Sequence, residues 1–149
     1  MMRLRVLTLV LLSSVALTAG AEGISVRDAW VREAPPGAQV LAAYLTIVNP
    51  GKHAVKLVRV TSPDFESVMV HQTRVREGVA TMLAVDALTV PARGQAAFVP
   101  GGDHLMLHGP RRALAAGANV TFRLQFDSGA TLTVNAPVRA DAPAAHHHH

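Results

Sequence analysis

From Ile24 onward, apolar and polar residues alternate over short stretches that end in Pro, Gly, Asn or Asp, and no long stretch repeats with helical periodicity. Val120, Phe122, Leu124 and Phe126 alternate with Thr121, Arg123 and Gln125, the clearest half-buried strand of the chain. Further strands are predicted over residues 24–32, 41–48, 55–60, 67–75, 79–85, 88–90, 95–99, 104–108 and 131–138. Pro35-Pro36-Gly37, Asn49-Pro50-Gly51, Ser62-Pro63-Asp64 and Asp127-Ser128-Gly129 punctuate them as turns. This pattern predicts an all-β domain, an antiparallel sandwich or barrel, with helix, if any, confined to a turn within residues 112–116.

In the segment after Pro100-Gly101-Gly102, the alternation sends Leu105 and Leu107 to one face and His104, Met106 and His108 to the other. One face reads as core, the other as chemistry. His71 and Met82 lie on either side of a predicted hairpin turn at Arg76-Glu77-Gly78. A two- or four-residue loop, which would pair Val75 with Gly78, sets His71 opposite Met82 on one face; a three-residue loop sends them to opposite faces. Thioether sulfur is soft and uncharged and suits Cu(I), whereas zinc would call for Cys, His or carboxylate, and calcium or magnesium for clustered oxygen ligands. His71, Met82, His104 and Met106 are therefore the predicted metal ligands, with Cu(I) as the ion. A lone Met in a strand is ordinarily core filling and a lone His an ordinary polar residue. The joint pattern outweighs that, because it takes in two of the three methionines beyond residue 2.

Composition narrows the class. The chain has no Cys, which excludes blue-copper and binuclear-copper electron carriers, iron–sulfur centres, thiol oxidoreductases and covalent haem. Arg3 and Arg5, the apolar run of residues 6–17 and Ala19-Gly20-Ala21 have the form of a secretory signal cleaved after Ala21, too short for a stop-transfer helix. With no Cys after the apolar run, a lipid anchor is not expected. Without Arg3 and Arg5 the 14 basic residues fall to 12 against 10 acidic ones, and no basic run with interleaved aromatics points to nucleic acid. The expected organisation is a signal peptide (1–21), one domain (22–139) and an Ala/Pro/His-rich tail (140–149).

The spacing of His71, ten residues, Met82, twenty-one residues, His104, one residue and Met106 resembles that of the periplasmic copper chaperones called PCuAC. The resemblance runs from about Arg27 to Val138. It includes Asp28-Ala29-Trp30-Val31-Arg32, Pro35-Pro36-Gly37, Ala43-Tyr44, Gly101-Gly102-Asp103-His104-Leu105-Met106-Leu107 and Phe126-Asp127-Ser128-Gly129. It implies a cupredoxin-like Greek-key β-sandwich that binds Cu(I) through two His and two Met. It further implies delivery to a copper acceptor protein, cytochrome c oxidase subunit II or another copper chaperone, in the periplasm; cleavage of the signal is expected to leave no stable membrane insertion. Where relatives commonly continue Met-Leu-Met-Gly-Leu, this chain has Met106-Leu107-His108-Gly109-Pro110, which makes His108 a candidate spare ligand.

The remaining candidates carry weaker patterns. His146, His147, His148 and His149 form a terminal tract that reads either as a tag remnant or as a native tail suited to Cu(II). Met69 shares a face with His71, for which packing is the ordinary role, and His53 sits in a surface loop. Arg74, Arg76, Arg111 and Arg112 lie near the site in sequence and read as a solvated charged rim. The expected activity is Cu(I) exchange without covalent catalysis. Copper sequestration, a copper-dependent redox enzyme and a metal-free structural sandwich stay open as alternatives.

Overall fold

A computed structural model describes residues 23–140. The expected signal peptide with its cleavage point, and the tail from residue 141 with His146–His149, lie outside the described residues.

Ten strands follow one another: β1 (Ser25–Arg32), β2 (Val40–Asn49), β3 (Val55–Thr61), β4 (Phe65–Arg76), β5 (Val79–Val85), β6 (Leu88–Val90), β7 (Gly94–Phe98), β8 (His104–Pro110), β9 (Asn119–Phe126) and β10 (Thr131–Arg139). Hydrogen bonding links them in the order β5-β4-β8-β2-β1-β10-β9-β3-β6, with β7 pairing the second half of β2. The path bends back on itself without closing, so the outcome is a sandwich and not a barrel. One half is β5-β4-β8-β2-β1 with β7, the other β10-β9-β3-β6, and β6 meets β7 and β3 meets β4 along the seam.

Alternation builds the core between these halves. Leu105 and Leu107 of β8, Ala43, Leu45 and Ile47 of β2, and Val120, Phe122 and Leu124 of β9 are all within the buried cluster. Leu41 to Phe126 thus form one continuous apolar interior, which at roughly 25 cal/mol per Å² of apolar surface supplies the main stabilisation of a chain without disulfides. Asn49, 2% exposed, closes β2 from inside: its side-chain amide donates to the carbonyls of His53 (2.8 Å) and Pro91 (3.2 Å), and its Oδ1 accepts from the Gly51 amide at 3.0 Å. Satisfying both ends of the amide is what makes a buried Asn tolerable there.

Two expectations are corrected, the all-antiparallel pairing and the hairpin register. The sheet is antiparallel except where β1 runs parallel to β10 (Val31↔Val138, Arg32↔Arg139), a pairing between the two ends of the domain that local periodicity does not encode. Residues 112–116 form no helix; Arg112 reaches Asp64 Oδ1 (2.7 Å) and the Asn119 carbonyl (2.6 Å), and the segment ends in a turn closed by the Ala118 amide on the Ala115 carbonyl (3.0 Å). The β4–β5 hairpin pairs Arg76 with Val79, not Val75 with Gly78. Its loop is Glu77-Gly78 with φ of 51° and 78°, the two positive values of a type I′ turn, whose twist matches that of the strands.

Candidate metal centre

The outer face of the β5-β4-β8-β2 layer carries the predicted ligands. Successive antiparallel pairs of β4 and β8 set His71 opposite His104, Met69 opposite Met106 and Ser67 opposite His108. Side chains two residues apart share a face, so all six look away from the core that Leu105 and Leu107 fill. On β5, Met82 lies opposite Thr73 and Ala84 opposite His71. Met82 therefore has the predicted face but a different register: it is diagonal to His71 by two residues, because the turn sits one residue later than the Val75–Gly78 pairing assumes. Diagonal neighbours in a sheet, about 7–8 Å apart at the backbone, remain within reach of a Met side chain.

His104 is 8% exposed and its orientation is determined locally. Gly101, at φ +80°, bends the chain into a tight loop in which the Gly102 amide donates to the Val99 carbonyl and the Val99 amide to the Asp103 carbonyl, both at 2.9 Å. The loop aims the Gly102 carbonyl at His104 Nδ1, 3.1 Å away. A carbonyl only accepts, so Nδ1 carries the proton and Nε2 keeps a free lone pair, the tautomer a metal-binding imidazole needs.

The same carbonyl accepts from the Thr73 hydroxyl at 2.9 Å, and Asp103 Oδ1 accepts from the Thr73 amide at 3.0 Å. The root of the hairpin bearing Met82 is in this way tied to the loop that orients His104. Thr73 was not singled out in the sequence and Asp103 only as part of the quoted motif; no spacing rule would have joined them, since they lie thirty residues apart.

The His71 and His104 ring centres are 5.4 Å apart with the planes inclined at 55°. A metal–imidazole bond of about 2 Å places two rings sharing one ion with centres roughly 5 Å apart, so the spacing admits a single bridging ion. His71 Nδ1 is buried with no hydrogen-bond partner, an arrangement that costs stability unless something occupies it. Desolvation, then the neighbouring His104 and His108, lower the pKa of His71 below 6.5, which keeps the ring neutral and able to coordinate at neutral pH. Among the described residues no three His, Cys, Asp or Glu side chains form a cluster, so an ion on this face must draw on thioether sulfur to complete its shell.

Exposure grades across the face. His104 is buried, His71 and Met106 are half-buried, and Met69 (41%) and Met82 (58%) are open to solvent. On β2, Ala42 lies opposite Met106 and Val40 opposite His108, and the Trp30 and Tyr44 rings, with centres 4.8 Å apart and planes tilted by 37° beneath Arg32, continue the same face toward β1. Of the predicted arginine rim, Arg112 is bound to Asp64 and Arg111 donates to the Phe65 carbonyl. Arg74 and Arg76 line a shallow groove with Thr81 and Leu83 on the opposite side of the hairpin from Met82. His53 is exposed in the loop after β2, and its carbonyl accepts from the Asn49 side-chain amide at that strand's end.

Comparison with known proteins agrees with the fold. The copper-bound PCuAC domain from PmoF2 is 25% identical and superposes with a TM-score of 0.67, covering 79% of this chain and 93% of that domain. The Cu(I) form of DR1885 from Deinococcus radiodurans is 38% identical with a TM-score of 0.64, covering 76% of each chain. Its apo form, 34% identical, covers 95% of this chain and 96% of its own, with a TM-score of 0.63. The fold is thus that of the cupredoxin-like PCuAC domains.

Among sequence relatives, a putative lipoprotein of Leifsonia xyli subsp. xyli, Lxx21020, is 35% identical over 120 residues, 80% of this chain and 71% of the relative. An uncharacterised protein of Rickettsia prowazekii, RP573, is 31% identical over 103 residues, 68% of this chain and 57% of the relative. The model of the LpqE-like family, described as putative lipoprotein LpqE-like, matches residues 24–138, nearly all of the described chain, and the protein accordingly belongs to that family.

Proposed function

We propose that this protein is an exported Cu(I) chaperone that holds one ion between His71, His104, Met82 and Met106 and passes it on by ligand exchange, catalysing no covalent reaction. The observation that carries the reading is the in-register pair His71↔His104, flanked by Met106 and Met82 on one accessible face. Copper in the solved PmoF2 domain and Cu(I) in DR1885 support the choice of metal.

The gradient of exposure supplies the mechanism. His71, kept neutral by burial, receives the ion without first losing a proton, and the Gly102 carbonyl holds His104 so that Nε2 faces the ion. Two imidazoles and two thioethers leave one net positive charge, which a half-apolar surface tolerates. Met82 is the most exposed donor and stands on β5, the edge strand of its layer, so an incoming ligand displaces it first. Stepwise replacement of Met82, Met106 and the two imidazoles moves the ion to the acceptor without its ever being free.

The finer assignments belong to the same proposal. They are a domain of residues 22–139 released by cleavage after Ala21, a periplasmic location, and Cu(II) capture by the tail residues His146–His149. The proposed acceptor is the copper site of cytochrome c oxidase subunit II, or another copper chaperone in the same route. No described helix is long and apolar enough to cross a membrane.

Delivery is tested by mixing the Cu(I)-loaded protein anaerobically with the copper-free soluble domain of an oxidase subunit II. Copper is expected to appear in that domain even with a chelator present that removes all free Cu(I). An acceptor that fills from free Cu(I) but stays empty beside the loaded protein would reject this recipient. Steady turnover of a redox substrate by the loaded protein would favour an enzyme instead.

A further inference from the structure

All three methionines among the described residues lie on the one outer face, yet the proposed Cu(I) site uses only Met82 and Met106. Met69 is 41% exposed and directly opposite Met106, so the packing that would ordinarily explain a strand methionine does not account for it. One step further along β8, His108 faces Ser67 and Val40 with its Nε2 buried and without a hydrogen-bond partner.

His108 is four residues from His104, about 13 Å along an extended strand; it is near enough to act on His71 electrostatically but too far along β8 to share an ion held between His71 and His104. In agreement, His108 does not cluster with the other two imidazoles. Met69 and His108, by contrast, are diagonal neighbours across the β4–β8 pair, and a Met side chain and an imidazole bridge that separation.

We infer that Met69 and His108 form a second Cu(I) site, weaker than the first and one step along the same face. This rests on reading the face as a Cu(I) surface. The donors are one thioether and one imidazole, both uncharged when the His is neutral, and Ser67 and Val40 beside them bring no carboxylate. That chemistry selects a soft monovalent ion over zinc, calcium or magnesium. Two donors in place of four make the site weaker than its neighbour. Met106, lying between His104 and His108 and opposite Met69, stands beside both sites, so an ion can move from one to the other while retaining one sulfur ligand.

The test is an anaerobic Cu(I) titration of the full chain against chromophoric chelators of graded strength, followed by the methyl resonances of the methionines and the ring resonances of the histidines. A tight first equivalent shifting Met82 and Met106 is expected, then a weaker second that shifts Met69 and His108. The double variant Met69→Leu/His108→Gln is expected to keep the first and lose the second. Saturation of the wild type at one equivalent overturns the second site alone, as does a second equivalent that survives in the double variant, whether held by His146–His149 or elsewhere. Loss of both equivalents in the variant overturns the separation into two sites. A wild type that binds no tight equivalent overturns the chaperone reading itself.

Discussion

Met82 and Met106 contribute little to the apolar interior, since one is exposed and the other half-buried on the outer face. Replacing either by Leu is therefore expected to leave thermal stability of the copper-free protein nearly unchanged while Cu(I) affinity falls by more than about 100-fold. Chelator competition and a thermal melt on the same samples separate the two effects. Thr73→Val removes the hydroxyl that shares the Gly102 carbonyl with His104 and keeps the shape. Outer-shell losses of this kind cost about 10- to 100-fold in metal affinity, and the low end is expected here because the His104 bond remains.

His71 gives the copper-free protein a pH dependence whose sign follows from burial. Its pKa is lowered in the folded state, so below the ordinary value of 6.5 the unfolded chain binds the extra proton first. Stability is fully present above about pH 6.5 and declines as pH falls toward the folded-state value. Denaturation midpoints measured across that window should drop in the wild type and drop less in His71→Gln.

At the scale of elements, the β4–β5 hairpin decides where Met82 stands. Gly78 holds φ at +78° with open space around it, so Gly78→Ala meets no clash and its cost is purely conformational, about 1 kcal/mol. Because register is set by the turn, the same variant is expected to weaken Cu(I) binding even though it touches no donor. Asn49→Ala, at the far end of β2, leaves the Gly51 amide and two carbonyls without their partner and is expected to cost about 2 kcal/mol with Cu(I) affinity unchanged. Denaturant titration and chelator competition on the two variants distinguish a turn that sets the site from a bond that only sets the fold.

The hairpin also marks how far the sequence could be read. Period-two alternation is local, so the shared face of His104, Met106 and His108 and the core face of Leu105 and Leu107 were both legible. The face of Met82 followed from an even loop, but its register did not. Arg76-Glu77 and Glu77-Gly78 both offer two-residue turns, and the choice falls to Gly78, which takes the second positive φ of a type I′ turn.

At the scale of the whole molecule, the parallel pairing of β1 with β10 and the tie from Thr73 to the Gly101–Asp103 loop join residues far apart in the chain. No window of the sequence contains both partners, which is why neither was predicted. The regular alternation of β9 and β10 was enough to identify an all-β domain. That the sheet stays open, with β5 as a free edge beside the proposed site, emerges only from the complete strand order. An uncharged edge strand, Val79 to Val85, is ordinarily a liability for unwanted pairing. Here it is also the strand that presents Met82 to whatever takes the ion.

The central claim is that the four side chains brought to one face bind one Cu(I) ion together. Anaerobic competition titration of the wild type and of Met82→Leu/Met106→Leu measures this directly. One tight equivalent in the wild type and none in the double variant is the expected result. A wild type without a tight equivalent, or a double variant that binds it equally well, would contradict the account.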